Sequence, residues 1–198
     1  MPENTACYNE LCQLAESFKL KIATVKTVIT ALSIPDDIDV LFLLSIPDML
    51  KMTLLASASL LVYTPRHEHF GIVPLEAMLA GTPVLAANEG GPTETVVEDV
   101  TGWLRNVAAV EEWTEVMRKV LAGGIGQDNL HQMGIAGQER VKKEFSRTMM
   151  AQRFNKEIQD IESVPRPTVV TPFGVGAVVA VVFAFVLASG WFGKAYLA

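Results

Sequence analysis

Apolar and polar positions along this chain alternate in blocks that read as strands and helices in turn. Asn4 to Leu20 sets Tyr8, Leu11, Leu14, Ala15 and Phe18 roughly on one face at helical spacing, which predicts an amphipathic helix. Lys19 to Leu32 mixes Lys with Val, Ile and Thr without a clear period and supports only a strand or irregular segment. Asp39 to Ile46 is a dense apolar run of strand length, suited to a sheet covered on both faces. Pro47-Asp48 opens a helix to about Ala58, since proline is tolerated in a first turn.

The next stretch has the clearest grammar. Leu60–Tyr63 is a short apolar run that Thr64-Pro65 stops, and the charged loop Arg66-His67-Glu68-His69 follows. Gly71 to Ala80 returns to helical spacing until Gly81-Thr82-Pro83 breaks it. Val84–Ala87 is a second apolar run, and Gly90-Gly91-Pro92 opens a second predicted helix. Strand, loop, helix, strand, glycine loop, helix is the order of a parallel α/β unit. Thr101–Leu104 then reads as a last short strand. Val110 to Ala122 reads as a helix with Trp113, Val116, Met117 and Val120 on one side, ended by Gly123-Gly124. Asn129–Phe145 and Ser146–Ile161 are two further helices, the second capped by Ser146.

The C-terminal end changes character. Residues 164–167 read as a linker, and no charged residue occurs from Pro167 to Gly193. A hydrocarbon core about 30 Å thick needs about 20 apolar residues in helical form, so residues 168–193 are expected to form a transmembrane helix. Trp191 and Tyr196 are candidate interface aromatics. Arg147, Arg153, Lys156 and Arg166 precede the span and only Lys194 follows it, which places the α/β domain on the cytosolic side.

Bulk properties add limits. At 198 residues, one core domain with an appendage is the natural reading. The net charge of −6 and the lack of a basic block disfavour nucleic acid as a partner. Cys7 and Cys12 read as free thiols, and no N-x-S/T sequon or signal-peptide core is present. His67 and His69 stand two apart in a loop with no third ligand in view, so no metal site is assigned.

In a parallel sheet, loops leaving the carboxyl ends of strands face the ligand crevice, and loops 64–70 and 88–92 both qualify. The helix beginning near Gly71 would offer free N–H groups and a positive dipole end to a phosphate. Glu68 precedes that helix and Glu76 lies on it, so two carboxylates and a phosphate-friendly helix end are expected to line one hollow.

Glu68-His69-Phe70-Gly71-Ile72-Val73-Pro74-Leu75-Glu76 resembles the Glu-x7-Glu motif of retaining GT-B glycosyltransferases. Gly81-Thr82-Pro83-Val84 and Gly90-Gly91-Pro92-Thr93-Glu94 follow in the order and spacing of that group. The fuller string is most similar to the α-1,3/1,6-mannosyltransferases of dolichol-linked oligosaccharide synthesis, and the resemblance extends over residues 2–160. It implies a Rossmann-like α/β domain over residues 1–163, the donor-binding half of a GT-B enzyme, tethered to the endoplasmic reticulum membrane. It also implies transfer of mannose from GDP-mannose to a dolichol-diphosphate-linked oligosaccharide, with no cofactor beyond that donor substrate. By the same resemblance Glu68 is the catalytic residue, contacting the donor sugar and steadying positive charge at its anomeric carbon. Amides at Phe70, Gly71 and Ile72 meet the diphosphate, Glu76 binds the ribose hydroxyls, and Gly90, Gly91 and Glu94 complete the donor site. Leaving-group stabilisation by preorganised amides suits such chemistry.

The sequence departs from this family in two ways. No Arg…Lys-Gly arrangement lies upstream of residue 60 to neutralise a diphosphate, and Lys19, Lys21 and Lys26 stand in the wrong context. Losing two charge-assisted hydrogen bonds at about 1.5–3 kcal/mol each is worth ~10²- to 10⁴-fold in affinity. The N-terminal acceptor domain is also missing from the resemblance. The isolated chain is therefore expected to have little transferase activity. Another nucleotide-sugar enzyme of the same fold, or a non-catalytic membrane-tethered module, stay open as alternatives.

Overall fold

A computed structural model describes residues 2–25 and 37–164. The second half of the Lys19–Leu32 segment, the linker after Val164 and the span expected at 168–193 lie outside the described residues. Among those described, no helix is long and apolar enough to cross a membrane. The chain divides into two compact units, Met1–Met149 and Met150–Ala198.

In chain order the described elements are α1 (Pro2–Ser17), β1 (Ile22–Val25), β2 (Val40–Leu43), α2 (Asp48–Ser57), β3 (Leu61–Tyr63) and α3 (Ile72–Ala80). Then come β4 (Val84–Ala87), α4 (Pro92–Thr95), β5 (Gly102–Arg105), α5 (Val110–Leu121), α6 (Gln127–Glu144) and α7 (Arg147–Ser163). Strands β3, β4 and β5 form a parallel sheet in that order, with Leu61 opposite Val84 and Val84 opposite Gly102. Parallel neighbours need a crossover, and α3 supplies the one between β3 and β4.

β4 is the centre of the core. All four of its residues are fully buried, as expected for a strand with both faces covered. The period of two sends them alternately to opposite sides. Val84 and Ala86 meet Leu55, Leu75, Ala77, Met78 and Val141, whereas Leu85 and Ala87 meet Trp103, Trp113, Val116, Val120 and Met133. Helix α6 serves both clusters, with Val141 in the first and Leu130 and Met133 in the second. The helix face expected from Trp113, Val116, Met117 and Val120 is the one that α5 buries.

The expectations for the N-terminal third need correction. The run Asp39–Ile46 yields a strand of only four residues that pairs with β1 in a separate two-stranded sheet. Its faces are not both covered: Leu41 is 37% and Leu44 39% exposed. Density of apolar residues predicts burial only at the middle of a sheet, and β2 is hydrogen-bonded on one side among the described residues. In α1 the expected apolar face is split. Ala15 is buried and Tyr8 packs edge-on against Phe42 at 5.2 Å while hydrogen-bonding Thr24 Oγ1, but Leu11, Leu14 and Phe18 are exposed. The second helix of the central unit, α4, is a single turn. At the far end, the Met149 N–H donates to Ser146 Oγ at 3.3 Å, which is the cap expected at the start of α7.

Candidate functional site

Loop 64–71 leaves the carboxyl end of β3 and loop 88–91 leaves that of the adjacent β4, so both stand at the same rim of the sheet. Two glycines set how closely they approach. The Gly91 N–H donates to the Glu68 carbonyl at 2.7 Å. A Cβ on Gly91 would lie 2.3 Å from Phe70 backbone atoms, and one on Gly90 would lie 2.3 Å from the Glu68 carbonyl oxygen. Main chain therefore lies against main chain. The Arg66 side chain and the His67 N–H both reach Glu89 Oε1, at 3.5 and 3.3 Å, and add a second tie between the loops.

Glu68 is half-buried, and its carboxylate is held by the phenol of Tyr63, which donates to Oε2 at 3.3 Å. Tyr63 is the last residue of β3 and packs against the core cluster around Met78. A carboxylate has about four acceptor positions, so one phenol donor leaves capacity for a ligand hydroxyl. Burial first, and then the charge and hydrogen bond of Glu68, raise the Tyr63 pKa above the ordinary tyrosine value. The native state thus holds that proton more tightly than the unfolded chain. This contribution to stability is complete below the ordinary tyrosine range and is lost as pH rises through the raised value. In Glu68→Gln, alkaline titration followed by phenolate absorbance should show the Tyr63 pKa falling toward the ordinary value without reaching it, because burial persists. An unchanged titration would mean that the two side chains do not interact in solution.

At the start of α3, Gly71 takes a left-handed conformation (φ 76°), and no side chain caps the helix. Glycine adopts this conformation without the penalty a Cβ imposes. Pro74 has no N–H, so the free amides of the first turn are those ahead of it. The Phe70 ring turns away to meet Phe145 edge-on at 6.0 Å, while Gly71 itself is buried and Ile72 exposed. Glu76, on the same helix, binds Lys51 of α2: Nζ lies 2.7 Å from Glu76 Oε1 and 3.3 Å from Asp48 Oδ1.

Glu94 is exposed and is anchored through its backbone. Its N–H donates to the Gly91 carbonyl, and its own carbonyl accepts from Arg140 Nη2 at 2.8 Å. Arg140 also donates through Nε to the Thr95 carbonyl, and its guanidinium lies over the Phe145 ring at 5.5 Å. The end of α6 thereby grips α4, which follows loop 88–91, through Arg140 and loop 64–71 through Phe145 against Phe70.

The structure thus brings Glu68, Phe70, Gly90 and Gly91 into direct contact and ties Glu76 and Glu94 to other partners. Lys51, Tyr63, Arg140 and Phe145 were not legible as site residues. Tyr63 carried a usable signal, its place at the carboxyl end of a predicted strand. A hollow of about 880 Å³ lies elsewhere, between β5, α5 and α6, lined by residues that include Trp103, Lys119 and Met133 and by none of the candidate site residues.

Comparison with known proteins bears on the family and the fold. The profile of the family "Glycosyl transferases group 1" matches residues 22–140. The α-1,3/1,6-mannosyltransferase alg-2 of Neurospora crassa is 58% identical over 159 residues, which cover 79% of this chain and 34% of that protein. The chain spans about a third of the length of the curated relatives it matches. Among solved structures, the C-terminal domain of LpcC, a group 1 family protein from Francisella tularensis, superposes with TM-score 0.56 at 18% identity, covering 74% of this chain and 66% of that one. Anabaena Alr3699/HepE in complex with UDP gives 0.54 at 24%, covering 67% and 35%. At such identities the two structures speak to the fold, which is the Rossmann-like α/β architecture of GT-B glycosyltransferases.

Proposed function

This chain belongs to the group 1 glycosyl transferases, and we propose that it is the donor-binding part of a retaining mannosyltransferase using GDP-mannose. The acceptor in this reading is a dolichol-diphosphate-linked oligosaccharide, and the bonds made are α-1,3 and α-1,6. The observation that carries it is the 58% identity to a fungal α-1,3/1,6-mannosyltransferase across 79% of the chain.

The geometry supports a donor site at the sheet rim. Amides at Phe70, Gly71 and Ile72 offer an uncapped helix end to the diphosphate. Glu68, steadied by Tyr63, meets the sugar as positive charge develops at its anomeric carbon, and Glu76 accepts the ribose hydroxyls. Gly90 and Gly91 let the second loop close against the first, and Glu94 lies where that loop enters α4. In this chemistry the protein stabilises the departing diphosphate more than it supplies a strong base. Residues 168–193 form a membrane span in the same reading, with the α/β domain on the cytosolic face of the endoplasmic reticulum. Its support is the absence of charge from Pro167 to Gly193 and the basic residues before the span.

The test is a thermal-shift titration of the chain with GDP and UDP. Ligand at ten times its Kd stabilises by about 1.4 kcal/mol, which for a protein of this size is about 3–6 °C in Tm. GDP should produce that shift at lower concentration than UDP. Equal or stronger stabilisation by UDP would point to a different nucleotide-sugar enzyme, and no shift with either at millimolar concentration would favour a non-catalytic module.

A further inference from the structure

We propose that Lys51 is a positioning residue for the nucleotide ribose, acting through Glu76; the inference rests on the reading of Glu76 as a donor-site residue. Lys51 lies in α2, the helix that precedes the rim strand β3, and reaches across to α3. Its Nζ donates to Glu76 Oε1 at 2.7 Å, and Asp48, one turn earlier on α2, also pairs with that ammonium at 3.3 Å. The pair is partly exposed, the Lys51 side chain being 34% and that of Glu76 27% accessible.

Two vicinal hydroxyls are both donors when they meet a single carboxylate, so that carboxylate has to be ionised and its plane fixed. A glutamate on a helix has three rotatable bonds and loses that freedom on binding unless something has already taken it away. Lys51 takes one lone pair of Oε1 and leaves Oε2 and the remaining lone pairs free for the ribose. It thereby preorganises an acceptor-only group. The partners reinforce one another. The hydrogen bond that Lys51 donates to Glu76, opposed by desolvation and helped by Asp48, raises the Lys51 pKa above the ordinary lysine value, so the ammonium is retained at neutral pH. The Asp48–Lys51–Glu76 line is thus an electrostatic strut between α2 and the helix whose first turn faces the diphosphate.

The experiment measures binding of GDP and of 2′,3′-dideoxy-GDP to the full chain carrying Lys51→Met, Lys51→Arg or no change, with Tm recorded for each. Unmodified chain should prefer GDP. Lys51→Met should lower GDP affinity by about tenfold, the scale of one charge-assisted hydrogen bond, and dideoxy-GDP affinity by less than about twofold. Lys51→Arg, which restores a cation, should recover most of the GDP preference. A purely structural role would weaken both ligands together, and that outcome overturns the proposal while leaving the donor site intact. If the unmodified chain binds GDP and its dideoxy analogue equally, the ribose role of Glu76 falls, and this inference with it.

Discussion

Gly91→Ala is expected to part the two rim loops, lower stability by about 1–3 kcal/mol, the usual range for a forced overpacking, and reduce GDP affinity at least tenfold. Gly91 sits at φ −54°, ψ −37°, a conformation any residue adopts, so the effect comes from space and not from backbone strain. The new methyl would lie 2.3 Å from the Phe70 Cα, carbonyl carbon and oxygen. No side chain can rotate out of the way, because the obstacle is main chain. Either loop 64–71 or loop 88–91 must then move, and the Gly91 N–H bond to the Glu68 carbonyl goes with it. The Phe70 and Gly71 amides move as well, and displacement of about an ångström at a reacting site can cost ~10²-fold. Gly123→Ala is the control. Gly123 has φ 72° with nothing within 4 Å of an added Cβ, so it isolates backbone strain of about 1–2 kcal/mol. Urea denaturation and GDP titration of both variants separate the two effects. Affinity in Gly91→Ala as high as in Gly123→Ala would show that loop apposition does not build the site.

The same pair of glycines shows what could be read from the sequence. Gly90-Gly91 was legible as a loop at a strand end and, by resemblance, as part of the donor site, but no spacing shows that Glu68 and Phe70 backbone stands in the way of any Cβ there. Local pattern marks where a chain turns without naming what it turns against. The strands β3, β4 and β5 and the helix α3 were legible for that reason, since each is set by a local apolar pattern within its own segment, with Pro65 stopping β3 and Gly81 stopping α3. Ser146 was legible as a cap because its partner is three residues away. The Lys51–Glu76 pair joins residues 25 apart on different helices, and Arg140 reaches carbonyls 45 and 46 residues back. Such partners depend on how helices pack over the sheet, which no window of sequence contains. β2 failed in the opposite sense: its apolar density was read correctly, but its place outside the three-stranded sheet was not visible.

Gly134→Ala carries the second large effect, and its sign is the informative part. Inside a helix, alanine is favoured over glycine by about 1 kcal/mol, so propensity alone predicts stabilisation. Gly134 lies in the interior of α6, where a Cβ would stand 2.1 Å from the Gly81 carbonyl oxygen and 3.0 Å from its carbon. Gly81 is the left-handed cap that ends α3, its N–H reaching the carbonyls of Ala77 and Met78. Pushing it outward loosens that closure and pulls on two fully buried residues of the core around β4. Steric cost of about 1–3 kcal/mol should outweigh the propensity gain, lowering Tm by roughly 2–4 °C for each kcal/mol lost. Gly137 lies one turn on, where an added Cβ would meet Met78 Cβ at 3.1 Å and Cγ at 3.2 Å, a crowding of a few tenths of an ångström and not an overlap with main chain. Gly137→Ala should therefore be close to neutral, gain and crowding offsetting one another. Calorimetry on the two variants is a direct comparison. If both are stabilised alike, α6 does not approach the α3 cap closely, and the grip of α6 on α4 and loop 64–71 through Arg140 and Phe145 fails with it.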